Sequence, residues 1–214
     1  MKIHANGSTF AEVTSKAESV TVEFGTGDTP LFETQPNPGF DADHVYIGVN
    51  IDPLQHAFLE RKVGHIAGHA LLASPKKDSN PEIPIPDGSA DMVYMANVFG
   101  EPDSRRVMPQ FRDQAGDYHG HSDLDTKRRT LDTAVEILRP GGELVILETN
   151  TPLIRDDRTD KKHLTASFLL EGAEVDIVTD ITSSSAEWLE SVSRFAEPEE
   201  MWGMWSYLVI ARKK

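Results

Sequence analysis

The sequence predicts an α/β fold with one doubly wound, mostly parallel sheet of seven strands and helices on both faces. Short apolar segments bounded by Gly, Pro and Asp alternate with segments of helical period, as in parallel sheets whose strands are joined by helices. The segment at 91–98 is almost continuously apolar, which is typical of a central strand covered on both faces. No internal repeat or linker divides the chain, so we expect a single domain over residues 1–214.

The seven strands are predicted from short apolar or β-branched runs bounded by turn residues. In chain order they lie at 20–24, 45–51, 65–73, 91–98, 143–148, 173–178 and 206–211. The first 19 residues have no strong period, and we expect a short strand or strands at a sheet edge there. Ligands of doubly wound sheets bind beyond the carboxyl ends of the strands, so the loops that follow the strands are the expected site.

Five helices are predicted between these strands. The first begins near residue 29, because Pro30 is well tolerated in a first helical turn, and ends before the prolines at 36 and 38. The others lie at 53–63, 125–138, 161–171 and in the first half of 183–200. Apolar residues at helical spacing are the expected core positions of the last three: Leu131, Ala134, Val135 and Leu138; Leu164, Phe168 and Leu169; Trp188 and Leu189.

Composition excludes several classes of protein. The chain has no cysteine, so it forms neither disulfides nor a thiolate metal site. Its net charge of −14 argues against a broad phosphate-binding surface. There is no apolar run near the roughly 18 residues that span a bilayer and no N-terminal signal pattern, so we expect a cytoplasmic protein that does not enter a membrane. The sequence leaves the oligomeric state open.

A glycine-spaced turn follows the first predicted strand. The run at 20–30 reads as a short apolar strand that ends in the acidic Glu23, followed by Gly25 and Gly27 and then a helix start. This order of elements is typical of proteins that hold an adenosine moiety at the edge of a parallel sheet: a strand, a glycine turn, a helix and a second strand with an acidic end. Glycines suit it because a backbone without Cβ turns sharply and approaches a ligand closely.

The spacing Glu23-x-Gly25-x-Gly27 resembles the first motif of class I S-adenosylmethionine-dependent methyltransferases. Segments at 83–99, 136–148, 172–178 and 205–213 resemble later landmarks of that family in the matching order, and together they cover nearly the whole chain. The resemblance implies a Rossmann-like sheet whose last strand is antiparallel. It also implies S-adenosylmethionine as the cofactor and methyl transfer as the reaction.

The resemblance implies a cofactor site at the ends of the first, second and fourth strands. Its members would be Glu23, Gly25, Thr26, Gly27, Asn50, Asp52 and Asn97. Two positions depart from the family pattern. Thr29 replaces the third glycine, and Asn50 stands where an acidic residue usually binds the ribose hydroxyls. An Asn amide can still bond a hydroxyl, but without the charge that strengthens the bond. Asp52 is interpreted equally well as a helix N-cap residue.

The acceptor is expected beside the loop after the fourth strand, where the family places its substrate-facing motif. Candidate substrate-binding residues are Phe99, Glu101, His119 and His121. The segment at 101–125 is expected to be a lid or substrate-contact loop, because long irregular loops in compact domains are usually functional or mobile. The two histidines could supply a base or a metal ligand pair, but a solvated loop is favoured, so no metal site is predicted. No catalytic side chain is identified.

Three alternatives stay open. Residues 99–102 and the run at 127–129 have a faint similarity to tRNA guanine methyltransferases that form 7-methylguanosine, but acidic neighbours leave this region near neutral. A small-molecule acceptor is therefore favoured over tRNA. An NAD-binding oxidoreductase would use the same glycine turn, although the expected antiparallel strand at 206–211 favours the methyltransferase. A non-catalytic member of the family is motivated by Thr29 and Asn50.

Overall fold

The computed structural model describes residues 3–4, 7–25, 43–49, 69–73, 85–96, 98, 124–148, 154–155, 163–164, 166–195 and 207–214. The strands are β1 (Ile3–His4), β2 (Ser19–Phe24), β3 (His44–Val49), β4 (His69–Ala73), β5 (Ala90–Ala96), β6 (Leu138–Glu148), β7 (Ile154–Arg155), β8 (His163–Leu164), β9 (Val175–Thr182) and β10 (Tyr207–Lys213). The helices are α1 (Gly7–Thr14), α2 (Leu124–Ile137), α3 (Ala166–Leu169) and α4 (Trp188–Val192).

One mixed sheet organises these elements. Its strand order is β1-β4-β3-β2-β5-β6-β10-β9, and β7 pairs with β8 in a separate antiparallel ribbon. All neighbours from β1 to β6 are parallel, whereas β10 is antiparallel to both β6 and β9. The prediction of a mostly parallel α/β sheet with an antiparallel last strand is therefore confirmed.

The strand count and several boundaries differ from the prediction. The described residues form eight strands in this sheet instead of seven, because the short β1 pairs with β4 at the edge. Strand β6 begins at Leu138, five residues before the predicted start, since the chain passes directly from α2 into pairing with Ala90 of β5. Strand β9 extends to Thr182 because it pairs with β10 along its length.

Helices α1, α2 and α3 cover one face of the sheet. Their buried side chains pack on a continuous apolar layer, which includes Phe10, Leu131, Ala134, Val135 and Leu169 from the helices and Val22, Val93 and Ile146 from the strands. The predicted core positions of α2 are thus confirmed. Complete burial of a Leu or Val side chain stabilises the fold by about 1.5–3 kcal/mol, so this layer contributes much of the free energy of folding.

Helix α4 covers the opposite face, as the prediction of helices on both faces requires. Trp188 and Val192, one helical turn apart, pack with Phe195 against the second apolar layer of the sheet: Tyr94, Val145, Leu147, Leu208 and Ile210. Leu189 was predicted to point inward, and this is wrong, because its side chain is 55% exposed. One residue turns a helix by about 100°, so the neighbour of Trp188 leaves the buried stripe.

The predicted helix at 161–171 is confirmed in part. Among the described residues of this range, Ala166–Leu169 are helical, and Leu164 lies in β8, where it pairs with Ile154 of β7. Leu169 is buried as predicted. The predicted helices at 29–35 and 53–63, and the predicted lid at 101–125 before α2 begins, lie outside the described residues. In the described parts of the chain, no helix has the length and apolar character that crossing a membrane requires.

Candidate functional site

The strand order reverses between β2 and β5. From β2 the chain continues outward through β3 and β4, and it then returns to β5 and β6 on the other side. Residues Thr21 to Phe24 pair in parallel with Met92 to Met95, so the carboxyl ends of the two strands lie side by side. Such a reversal opens a crevice at the carboxyl edge, where ligands of doubly wound sheets bind.

Gly25 stands at the carboxyl end of β2, at this reversal. Its N–H donates a 2.8 Å hydrogen bond to the carbonyl of Val49, and its φ is +69°. A Cβ on Gly25 would come within 3.1 Å of Cγ2 of Val98, which lies two residues after the end of β5. The left-handed backbone strongly favours glycine here, and any larger residue would also have to displace the Val98 side chain slightly. The chain therefore bends at the first glycine of the predicted turn, whose later residues lie outside the described part of the chain.

Glu23 is buried at the same end of β2, with a side chain 1% exposed. Its register partner on β3 is Gly48, which has no side chain. The hydroxyl of Tyr46, two residues earlier on the same face of β3, donates a 2.5 Å hydrogen bond to Oε2 of Glu23. The acid predicted for the site is thus a buried carboxylate held by a neighbouring strand.

Tyr94 flanks Glu23 from the other side, as its register partner on β5. Burial raises the pKa of the Tyr94 phenol far above its usual range, and the charges of Glu23 and Glu148 raise it further. The hydroxyl therefore stays protonated throughout the physiological range of pH. Tyr94 can offer a neutral hydroxyl in this region, but it cannot act as a phenolate base.

A second buried carboxylate, Glu148, ends β6, and its register partner is Tyr207 on β10. The sequence pattern predicted no role for Glu148, Tyr46 or Tyr94. The available signal was a polar side chain inside or at the end of an otherwise apolar strand, because burial of such groups is costly unless they are bonded. Periodicity alone could not show that Tyr46 and Glu23 share a face, since this depends on the register of β2 and β3.

Of the predicted site residues, the structure describes Glu23 and Gly25 and brings them together at the end of β2. The others lie outside the described residues: Thr26, Gly27, Asn50, Asp52, Asn97, Phe99, Glu101, His119 and His121. In sequence, Asn50 follows the last residue of β3, and Asn97 lies between Ala96 and Val98. Within the described ranges, no group of three or more His, Asp or Glu side chains could hold a metal ion.

Comparison with known proteins shows the fold. No protein-family model and no curated sequence matches the chain. The structure is similar to the antibiotic-resistance methyltransferase Kmr, with 16% identity, a TM-score of 0.52, and coverage of 99% of this chain and 94% of that chain. It is also similar to the CurJ carbon methyltransferase, with 16% identity, a TM-score of 0.54, and coverage of 92% and 49%. An S-adenosylmethionine-dependent methyltransferase from Methanosarcina mazei has 13% identity, a TM-score of 0.52, and coverage of 100% and 99%. The chain therefore has the fold of S-adenosylmethionine-dependent methyltransferases.

Proposed function

We propose that this protein transfers a methyl group from S-adenosylmethionine to a small-molecule or nucleic-acid acceptor. The observation that carries the proposal is the reversal between β2 and β5, where Gly25 adopts a left-handed conformation beside the buried Glu23. The antiparallel β10 between β6 and β9 supports the same conclusion. The two-fold repeat of parallel units that binds dinucleotides does not insert an antiparallel strand there.

The chemistry of the described residues fits this cofactor. Glu23 supplies a carboxylate that can bond loop amides or the cofactor's amino group. Gly25 is exposed at the carboxyl end of β2, where a ligand can reach its backbone. We include Thr26, Gly27, Asn50, Asp52 and Asn97 in the proposed cofactor site, on the resemblance of the sequence to the family motif.

Methyl transfer mainly requires that the protein position the acceptor against the methyl group of the cofactor. S-adenosylmethionine supplies a methyl group on a sulfonium, already activated for in-line displacement. Holding the acceptor at near-attack distance can supply much of the rate, and a base is needed only if the acceptor must lose a proton first. We assign the acceptor side to residues after β5: Phe99, Glu101, His119 and His121.

A small molecule is the favoured acceptor. The net charge of −14 opposes the phosphate contacts that hold a nucleic acid. The basic run at 127–129 lies in the first half of α2, but acidic residues around it in the sequence offset its charge. Tight tRNA binding that weakens steeply with salt, and that Arg128→Ala weakens further, would reverse this preference.

Calorimetric titration of the protein with S-adenosylhomocysteine, S-adenosylmethionine and NADH tests the proposal. We expect both adenosyl ligands to bind and NADH not to bind. Gly25→Ala should weaken S-adenosylhomocysteine about tenfold or more, because the new Cβ strains the backbone and displaces Val98. NADH binding, with no adenosyl ligand bound at millimolar concentration, would refute the proposal.

Gly172→Ala is the matched control for Gly25→Ala. Gly172 also has a positive φ, +86°, but nothing lies within 4 Å of the position that a Cβ would take, and it follows α3, away from the β2–β5 reversal. The two substitutions should cost similar backbone strain, about 1–2 kcal/mol. Only Gly25→Ala should change the dissociation constant. Equal affinity loss in both variants would mean that general destabilisation, and not the site, determines binding.

A further inference from the structure

The hydrogen bond between Tyr46 and Glu23 joins β2 and β3 beneath the proposed cofactor site. Both side chains are 1% exposed, and the distance between Tyr46 Oη and Glu23 Oε2 is 2.5 Å. This distance lies at the short end of the range for hydrogen bonds between a hydroxyl and an oxygen acceptor. The contact therefore restrains the orientation of the Glu23 carboxylate.

The surroundings of Glu23 make this donor important. Two phenols face the carboxylate, Tyr46 from β3 and Tyr94 from β5. Tyr94 stays protonated, because burial and the charges of Glu23 and Glu148 raise its pKa. A buried carboxylate needs hydrogen-bond donors to remain ionised, since burial alone favours its neutral form. Removing the Tyr46 hydroxyl removes one of the donors that favour the charged form.

We propose that Tyr46 is a positioning residue for the cofactor site, which acts through Glu23 without touching the ligand. Its hydroxyl fixes Oε2 of Glu23 two residues before Gly25. A fixed Glu23 side chain can then bond loop amides or a cationic amine without the cost of reorientation. The inference rests on the proposed function, because it names how that site is held.

Tyr46→Phe tests the inference, because it deletes the hydroxyl and keeps the ring. We expect the dissociation constant for S-adenosylhomocysteine to rise about tenfold at pH 7, the factor that corresponds to one lost charge-assisted hydrogen bond. In a Glu23→Gln background, the same substitution should add little, since the two residues act as a unit.

Thr14→Val is the matched control. Thr14 is a buried residue of α1, and its hydroxyl donates a 2.8 Å hydrogen bond to the carbonyl of Phe10. The substitution removes a buried hydrogen bond away from the carboxyl edge of β2. It should lower the melting temperature and leave the affinity unchanged. If Tyr46→Phe does not fold, Glu23→Asp replaces it, because the shorter side chain draws the carboxylate away from the hydroxyl.

The outcomes separate this inference from the proposed function. If the wild-type protein binds S-adenosylhomocysteine and Tyr46→Phe lowers only the melting temperature, Tyr46 is structural and the inference is wrong, while the proposed function stands. The same holds if Glu23→Asp, used in its place, binds like the wild type. If the wild-type protein binds no adenosyl ligand, both fail together.

Discussion

The ammonium of Lys213 donates a 2.7 Å hydrogen bond to the carbonyl oxygen of Leu138, at the point where α2 passes into β6. The same ammonium lies 3.1 Å from the carbonyl oxygen of Glu136, which also accepts from the N–H of Gly88. The last carbonyls of a helix have no partner within the helix, and they carry the negative end of its dipole. Strand β10 therefore supplies a positive cap to the helix on the neighbouring layer.

Lys213→Met should destabilise the protein by about 1 kcal/mol, because it removes this cap and keeps most of the aliphatic stem. Urea unfolding followed by circular dichroism measures the change. Lys214→Met is the control, since Lys214 pairs at 3.3 Å with Asp176 and both side chains are exposed. Exposed pairs contribute little, so this variant should unfold like the wild type. Equal losses in the two variants would contradict a capping role for Lys213.

Gly142→Ala should destabilise the protein by about 3 kcal/mol, or prevent folding. A Cβ at Gly142 would lie 2.9 Å from the carbonyl oxygen of Arg139 and 3.0 Å from those of Ala90 and Asp91. These are backbone atoms of paired strands, so they cannot move aside cheaply. Thermal unfolding measures the effect.

Gly141→Ala separates this clash from ordinary glycine strain. Gly141 has a φ of +80°, and nothing lies within 4 Å of a Cβ placed there. Its substitution should cost only the strain of a left-handed alanine, about 1–2 kcal/mol. A loss at Gly141 as large as that at Gly142 would show that the close approach of β5 is not the cause.

Glu143 makes the stability depend on pH in the acidic range. Burial raises the pKa of Glu143, but the hydrogen bond from Arg212 and the charges of Arg194 and Arg212 outweigh it, so the pKa lies below the usual 4.5. The contacts measure 2.8 Å to Arg212 and 3.1 Å to Arg194. Their contribution is complete above the usual pKa and is lost as the pH falls through the lowered one, because the unfolded chain then binds the proton more readily.

Glu143→Gln should therefore lower the free energy of unfolding by about 1 kcal/mol at pH 7, and the difference should be smaller at pH 3 than at pH 7. Unfolding in urea at several pH values tests this. Glu12→Gln is the control, because Glu12 pairs with Lys16 at 2.8 Å on the exposed surface of α1. Its effect should be much smaller. A Glu143 effect that is the same at both pH values would show that shape, and not charge, matters there.

Sequence patterns located most elements that the structure describes, because they are local. The apolar runs of β2, β3 and β5 and the helical spacing of Leu131, Ala134 and Val135 depend only on neighbouring residues. The sequence-based predictions were wrong where tertiary contacts determine the environment of a residue. Leu189 has the same apolar character as Trp188, yet the short α4 turns only one side toward the sheet. Leu164 fits a helical period, yet it lies in β8 and pairs with Ile154 of β7.

The sequence by itself determined the α/β class and a glycine directly after β2, where the backbone is left-handed. A Cβ-free residue and a short apolar strand are properties of the local chain. Only the tertiary structure decided which side chains meet. Tyr46 reaches Glu23 across 23 positions of sequence, and Lys213 reaches Leu138 across 75. Such contacts follow from the register and order of strands, and these are chosen by the packing of the whole sheet between its two layers of helices.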